Sequence, residues 1–275
     1  LLIFSPMFLA HQFSDLGSLA KAGVAFLAFS FAASSIYVLN DLFDLSADQH
    51  HPRKRNRPFA SGDLPIAAGA LLTPLLVIIS LILCSFLPFS FFATLVGYYI
   101  VTTAYSWRLK QVAIADVLTL AVLYSTRIVA GATATGTIAS GWFIEFAIFL
   151  FLSLALVKRA SELKEMETRP DAENAHRERG YAVGDLPLLL AFGTAAGYIS
   201  VFVFTMYLGS DKVAELYSRP QLLWSFCPLL LYWITRVWHL AWRGEMTDDP
   251  LAFAARDPQT YLVGAIGVAA LLYAI

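Results

Sequence analysis

Long apolar runs separated by shorter polar segments make up most of this chain. Apolar windows of about 20 residues, the length that a helix needs to cross a bilayer, cover residues 1–11, 19–40, 64–86, 90–107, 113–134, 142–160, 186–208, 221–241 and 259–275. Strands that cross a membrane alternate apolar with polar residues, and the sequence has no such alternation. The pattern therefore predicts an all-α, polytopic membrane protein with about nine transmembrane helices in a single domain, 1–275.

The composition agrees with a membrane location. Hydrophobic residues make up 58% of the chain and charged residues 14%, against about 25% charged in a soluble domain. The net charge of −1 gives no basic excess, so a nucleic-acid partner is not predicted. The first apolar run reaches the polar His11 after ten residues, so we expect the first helix to be incomplete at its N-terminus.

Basic residues are concentrated in alternate loops. One side of the predicted bundle carries Lys21, Lys212 and Arg219. The other side carries Arg53, Lys54, Arg55, Arg57, Arg108, Lys110, Lys158, Arg159, Lys164, Arg169, Arg177, Arg179, Arg236, Arg243 and Arg256. Loops rich in lysine and arginine stay in the cytoplasm, so the second side is predicted to be cytoplasmic, in a bacterial inner membrane. Because the two long loops, 41–63 and 161–185, lie on that side, we expect the active site there.

An acidic stripe ends the second predicted helix. Asn40, Asp41, Asp44 and Asp48 fall within an arc of about 100° on a helix. Crowded carboxylates repel one another unless a cation binds them, and Mg²⁺ prefers carboxylate and phosphate oxygens. The residues that follow can donate hydrogen bonds to phosphate: Arg53, Lys54, Arg55 and Arg57. The alternative is a solvated loop after a helix stop.

A second cluster ends the sixth predicted helix. Lys158, Arg159 and Glu162 have the same spacing as Asn40, Asp41 and Asp44, which indicates an internal repeat. The first copy is acidic and suited to a metal, whereas the second is basic enough to hold an anion directly. The alternative is that its basic residues are ordinary cytoplasmic flanking residues.

Further candidates lie on the fourth and fifth predicted helices and in the last loop. Arg127 is far from the helix ends, and an ionisable side chain at that depth usually marks a functional site; the alternative is a purely structural pair. Arg108 and Lys110 could also bind phosphate. The acids of loop 243–257 fit either a second cation site or a capped re-entrant helix.

The motif Asn40-Asp41-x-x-Asp44-x-x-x-Asp48, with nine helices of this sidedness, resembles the UbiA superfamily of intramembrane prenyltransferases. The resemblance implies an all-α bundle open to the cytoplasm and to lipid. Where many members carry a second aspartate motif, this chain has Lys158-Arg159-x-x-Glu162-Leu163. That element is similar to the decaprenyl-phosphate phosphoribosyltransferase branch, some of whose members carry a phosphatase-like domain before the first helix.

This resemblance implies Mg²⁺-dependent transfer of 5-phosphoribose from phosphoribosyl diphosphate to a polyprenyl phosphate. The implied catalytic residues are Asp41, Asp44, Lys158, Arg159 and Glu162, and the implied metal ligands are Asp41, Asp44 and Asp48. Phosphate groups would contact Asn40, Arg53, Lys54, Arg55, Arg57, Arg108, Lys110 and Arg127. One alternative is a prenyltransferase joining a prenyl diphosphate to an aromatic or other acceptor, which requires a second acidic site. A transporter is another, although transporters bind near the bilayer midplane.

Overall fold

Every regular element that the structure describes is a helix. The computed structural model describes residues 1–12, 14–50, 54–167, 180–246 and 249–275. In these ranges the α-helices are α1 (Ser5–Leu9), α2 (Leu16–Phe43), α3 (Leu45–His50), α4 (Ile66–Cys84), α5 (Phe89–Trp107), α6 (Ala115–Thr135), α7 (Gly141–Glu167), α8 (Leu186–Leu208), α9 (Asp211–Leu216), α10 (Phe226–Trp242), α11 (Pro250–Ala254) and α12 (Pro258–Ala274). Short 3-10 turns cover Leu2–Phe4, Lys54–Asn56, Leu109–Gln111, Val183–Asp185 and Pro220–Ser225. The predicted all-α fold is confirmed.

The helix ends differ from the predicted spans by a few residues, for local reasons. Helix α2 begins at Leu16 rather than 19, because the Asp15 carboxylate accepts hydrogen bonds from the amides of Gly17 at 3.1 Å and Ser18 at 3.0 Å. Such capping starts a helix before its apolar stretch begins. Helix α7 continues to Glu167 rather than ending at 160, because charged residues extend the helix beyond the apolar window.

Five helices are long and apolar enough to cross a membrane: α2, α4, α6, α7 and the segment Val183–Leu208 that contains α8. The other four predicted crossings coincide with α1, α5, α10 and α12, which are shorter or less apolar. The chain is therefore an integral membrane protein, and the total of nine crossings stays approximate.

The described chain forms two compact units. Unit 1 contains residues 1–108 and 126–139, and unit 2 contains residues 109–125 and 140–275. The single domain expected over 1–275 stays a prediction. The acidic stripe belongs to unit 1 and the Lys158-Arg159 cluster belongs to unit 2, so each site can be built within its own unit.

Small residues let the helices of unit 1 pack closely. The buried face of α2 carries Ala22, Ala25, Ala28 and Ala32, spaced so that they share one side of the helix. The Ser80 hydroxyl of α4 donates a hydrogen bond to the Ala28 carbonyl at 2.8 Å. Small residues and interhelical hydrogen bonds of this kind hold helices together in a membrane, where lipid is as apolar as the helix surface.

In unit 2, α7, α8 and α10 meet at a buried glycine. A Cβ atom added at Gly193 would lie 2.0 Å from Cζ2 of Trp238. That ring is 5% exposed, and its Nε1 donates a hydrogen bond to the Ser153 hydroxyl at 3.0 Å. The same hydroxyl donates to the Gly193 carbonyl at 2.7 Å. The glycine is therefore required by the close approach of Trp238.

We predict that Gly193→Ala destabilises unit 2. The added methyl group must displace a buried, hydrogen-bonded indole, and overpacking of this kind costs about 1–3 kcal/mol. The melting temperature in detergent, followed by tryptophan fluorescence, should fall by several degrees. Gly264→Ala is the matched control, because Gly264 is also inside a helix and its added Cβ meets nothing within 4 Å. An equal effect of the two substitutions would contradict this account of the packing.

Candidate active site

The acidic stripe of unit 1 lies at the junction of α2 and α3. Helix α2 ends at Phe43 and α3 begins at Leu45. Helical hydrogen bonds continue through the junction, from the Asp44 amide to the Asn40 carbonyl and from the Asp48 amide to the Asp44 carbonyl, both at 2.8 Å. The carboxylates therefore keep their helical spacing although the helix is interrupted.

One arginine joins the first and last carboxylates of the stripe. Nη1 of Arg57 lies 2.9 Å from Oδ1 of Asp41 and 2.7 Å from Oδ2 of Asp48. Asp48 is only 3% exposed, so its charge needs a nearby partner. Arg57 supplies that charge at the point where the two carboxylates meet.

The backbone that carries Arg57 is anchored by a buried aromatic ring. Phe59, two residues later, is 7% exposed, and its ring packs on Gly69 of α4, where an added Cβ would lie 2.9 Å from Cε1. The Ser61 amide donates a hydrogen bond to the Arg57 carbonyl at 2.8 Å. The loop thus holds the arginine backbone beside the acidic stripe.

The other candidates of unit 1 have different surroundings. The Asn40 amide donates a hydrogen bond to the Ser106 hydroxyl of α5 at 2.9 Å. Arg55 and Arg108 are exposed. Arg53 lies outside the described residues, and the Lys54 side chain is not among those described. Their predicted contacts with phosphate stay predictions.

Arg127 lies among aromatic rings. Its guanidinium carbon is 5.5 Å from the ring centre of Phe29 and 5.3 Å from that of Tyr98. It also donates a hydrogen bond to the Tyr98 hydroxyl at 3.3 Å. Cation–π contacts of this kind stabilise a desolvated guanidinium, so the described contacts of Arg127 fit the structural alternative and its phosphate role stays a prediction.

In unit 2, the last third of α7 presents a lysine. Nζ of Lys158 lies 2.6 Å from Oδ2 of Asp249, and 35% of the lysine side chain is exposed. The two residues border a small cleft that is otherwise lined mainly by apolar side chains, among them Tyr124 and Phe151. An anion that enters this cleft would meet the ammonium group of Lys158, whose present partner, Asp249, is also partly exposed.

Another basic candidate of unit 2, Lys110, is partly buried and lies in the turn before α6.

Arg159 is buried, whereas the neighbouring Lys158 is partly exposed. It is 2% exposed and Asp116 is 0% exposed. Nε of Arg159 lies 2.5 Å from Oδ2 of Asp116, and Nη2 lies 3.3 Å from Oδ1. Nη1 donates a third hydrogen bond to Glu162. These contacts make Arg159 a partner of two carboxylates, and its predicted direct role in catalysis is not needed to explain its position.

Two further residues fix the turn that leads into Asp116. Ile114 has a φ of +67°, which is strained for a β-branched residue. Its amide donates a hydrogen bond to the Tyr181 hydroxyl at 2.8 Å. Burial raises the pKa of Tyr181, so this phenol stays protonated at neutral pH. The sequence interpretation did not identify Ile114 or Tyr181, and no local pattern could have paired residues so far apart.

The last loop ends in a residue that caps the next helix. Asp257 accepts a hydrogen bond from the Thr260 amide at 2.8 Å at the start of α12, and Arg236 holds it with two bonds of 2.8 and 2.9 Å. Burial acts to raise the pKa of Asp257, but the bonds from Arg236 and Thr260 outweigh it and hold the pKa below its ordinary value. Asp257 therefore acts as the cap of α12, and the re-entrant helix stays a prediction. Asp248 lies outside the described residues.

Comparison with known proteins identifies the family. A model of the UbiA prenyltransferase family matches residues 1–270. The chain belongs to the UbiA prenyltransferase family. This confirms the resemblance that the acidic motif and the helix pattern indicated.

Two relatives illustrate the range of the family around this chain. Nodulation protein NoeC of Azorhizobium caulinodans is 32% identical over 268 residues, which cover 98% of this chain and 86% of NoeC. A decaprenyl-phosphate phosphoribosyltransferase of Mycolicibacterium smegmatis is 36% identical over 157 residues, which cover 57% of this chain and 49% of that enzyme. The chain spans about half the length of several curated relatives that it matches.

A solved structure supports the UbiA fold. The structure of a UbiA homologue from Archaeoglobus fulgidus, bound to DMAPP and Mg²⁺, superposes with a TM-score of 0.70 and covers 99% of this chain and 92% of the homologue. At 16% sequence identity, this likeness concerns the fold alone. It confirms the predicted UbiA-like bundle.

The acidic stripe of this UbiA member fits a magnesium ion held jointly with a substrate. Mg²⁺ is usually bound by one or two carboxylates together with substrate phosphates. The guanidinium between Asp41 and Asp48 marks a point where positive charge is stabilised. In the described ranges no three acidic, histidine or cysteine side chains are grouped as a metal site, so phosphate oxygens would have to complete the coordination. Metal binding by Asp41, Asp44 and Asp48 stays a prediction.

We predict that Arg159 contributes to stability through its buried pair. Arg159→Met or Asp116→Leu alone leaves a buried charge unpaired and should lower the free energy of unfolding by about 3–5 kcal/mol. The double variant should lose much less, because neither charge remains. Thermal unfolding in detergent measures all three.

Arg243→Met is the control for this cycle. Arg243 also pairs with a carboxylate, Glu245 at 2.6 Å, but 58% of its side chain is exposed. Its loss should cost less than about 1 kcal/mol. If Arg159→Met were as stable as wild type, Arg159 would not be the buried structural partner described here.

Proposed function

We propose that this protein transfers 5-phosphoribose from phosphoribosyl diphosphate to a polyprenyl phosphate in a Mg²⁺-dependent reaction. The observation that carries the proposal is the chemistry in the last third of α7, where the predicted counterpart of the acidic motif has Lys158 and Arg159. Arg159 is already bonded to Glu162, which leaves Lys158 as the partly exposed group. A cation at this position suits a phosphate, whereas a second metal site would need free carboxylates.

The acidic stripe would bind the donor. Asp41 and Asp44, with Asp48 beside them, would hold Mg²⁺ against the diphosphate, where the ion stabilises negative charge on the leaving group as the C1–O bond breaks. Arg55 and Arg57 lie in the following loop and can donate hydrogen bonds to phosphate oxygens. These residues would hold the diphosphate in one orientation.

Lys158 would bind the phosphate of the acceptor. Its ammonium group, now paired with Asp249, can attract a lipid phosphate. In the proposed reaction an oxygen of the lipid phosphate forms the new bond to C1 as diphosphate departs. No general base is required, because a phosphate monoester with a second pKa of about 6 is largely ionised at pH 7. Arg159 acts indirectly, by fixing Glu162 and the turn before α6.

The location of the site follows from the loops. The basic-loop asymmetry of the sequence assigns the acidic stripe, Lys158 and most basic residues to the cytoplasmic side of the membrane. Phosphoribosyl diphosphate is a water-soluble donor, and a polyprenyl phosphate keeps its head group at the membrane surface. We therefore propose a bacterial inner-membrane enzyme whose active site faces the cytoplasm.

The relatives support this proposal and also define its main alternative. One relative is named a decaprenyl-phosphate phosphoribosyltransferase, whereas the fold neighbour was solved with DMAPP and Mg²⁺. The second observation favours a prenyltransferase that joins a prenyl diphosphate to another acceptor. Both reactions use a diphosphate donor at the acidic stripe, so the donor must be identified by experiment.

Transfer of label from phosphoribosyl diphosphate into the lipid phase tests the proposal. Purified protein, polyprenyl phosphate and Mg²⁺ should give labelled lipid, and chelation of the metal should abolish it. Asp44→Asn should lower the rate by about 100-fold or more, since loss of a metal ligand removes several kcal/mol of transition-state stabilisation. Asp63→Asn is the control, because Asp63 is an exposed acid of the same loop whose described contact is with Ser61 at 2.7 Å.

Two results would contradict the proposal. One is the absence of labelled lipid while the same preparation consumes a prenyl diphosphate with an aromatic acceptor. The other is equal loss of activity in Asp44→Asn and Asp63→Asn, which would mean that the acidic stripe has no special part in the reaction.

A further inference from the structure

A nitrogen of Arg57 occupies the place where the metal is expected. Nη1 of Arg57 lies between Asp41 and Asp48, at 2.9 and 2.7 Å from their oxygens. Carboxylates bind Mg²⁺ at about 2.0–2.1 Å, so the ion needs these oxygens closer than the arginine does. A metal ion and the guanidinium therefore cannot use these two oxygens at once.

The arginine side chain can leave without disturbing the fold. Its side chain is 41% exposed, whereas its backbone is held by the buried Phe59 and by the Ser61 amide. A guanidinium that moves away from the carboxylates keeps its charge and needs another anion. The diphosphate of the donor is such an anion, since guanidinium groups bind phosphate oxygens with two parallel hydrogen bonds.

We propose that Arg57 is an exchangeable counter-cation of the acidic stripe. Without ligand it pairs with both Asp41 and Asp48; when a metal–diphosphate complex binds, the metal takes its place and Arg57 moves to the diphosphate. The metal alone must displace Arg57 and gives it no new partner, so it binds weakly. Metal and diphosphate together give both the carboxylates and Arg57 a partner of opposite charge, so they bind cooperatively and the substrate is the preformed complex.

This inference rests on the proposed function in one respect, which is that the donor carries a diphosphate group. Both phosphoribosyl and prenyl donors carry it, so inorganic diphosphate is a sufficient probe. The inference can therefore be tested on the full chain without any transfer reaction.

Binding of Mn²⁺, a paramagnetic substitute for Mg²⁺, provides the test. The electron paramagnetic resonance signal of free Mn²⁺ falls as the ion binds the purified protein. Arg57→Gln removes the competing cation, so it should bind Mn²⁺ alone about 3- to 10-fold more tightly, given that exposed ion pairs are each worth up to about a factor of five. Its affinity for inorganic diphosphate, measured with saturating Mn²⁺, should fall by about 10-fold. A merely structural role would weaken both affinities.

Two variants control for charge and folding. Arg243→Gln removes an arginine from another carboxylate pair, with Glu245, and should leave Mn²⁺ affinity unchanged. Arg57→Lys keeps the positive charge but cannot bridge two carboxylates as a guanidinium does; it should bind Mn²⁺ alone at an affinity between those of wild type and Arg57→Gln. It serves in place of Arg57→Gln if that variant does not give a single, folded species on gel filtration.

Equal or weaker binding of Mn²⁺ alone by both Arg57 variants would overturn the exchange. Tighter metal binding with unchanged diphosphate affinity would overturn it as well, because the released arginine would then have no part in donor binding. If the predicted opposite shifts occur in a protein that transfers no phosphoribose, the exchange stands and the proposed function fails.

Discussion

This structure depends on one constraint: each charged side chain that the helices bury must be paired with an opposite charge. A buried carboxylate or guanidinium without a partner is strongly destabilising, and Asp48 and Arg159 are almost completely buried. Arg57 neutralises the first, while Asp116 and Glu162 neutralise the second. The segments that carry the chemistry can therefore be packed into the protein only because other residues supply these partners, from three residues away for Glu162 to 43 residues away for Asp116.

The two arginines satisfy this constraint in different ways. Arg57 is bonded to carboxylates but 41% of its side chain is exposed, so a ligand can compete for it. Arg159 is 2% exposed and its three described bonds end on two acids, so it belongs to the framework. The two basic clusters of the sequence thus contribute, in the fold, one arginine suited to ligand exchange and one that holds its neighbours in place.

Features that depend on neighbouring residues could be predicted from the sequence, and features that depend on long-range packing could not. The apolar windows placed the helices to within a few residues, and helical spacing put Asp41 and Asp48 on one stripe. The partner of Arg159 lies 43 residues away, on a helix whose register no local pattern reveals. The contact between Ile114 and Tyr181 spans 67 residues. Arg57 likewise reaches the stripe through a loop whose path depends on tertiary packing.

Equilibrium binding of radiolabelled phosphoribosyl diphosphate to the purified protein, with geranyl diphosphate as competitor, tests the central claim most directly. We predict that label binds only when Mg²⁺ is present and that an equal concentration of geranyl diphosphate does not displace it. Displacement of the label, together with Mg²⁺-dependent binding of the prenyl compound itself, would contradict the account and assign the acidic stripe to prenyl transfer.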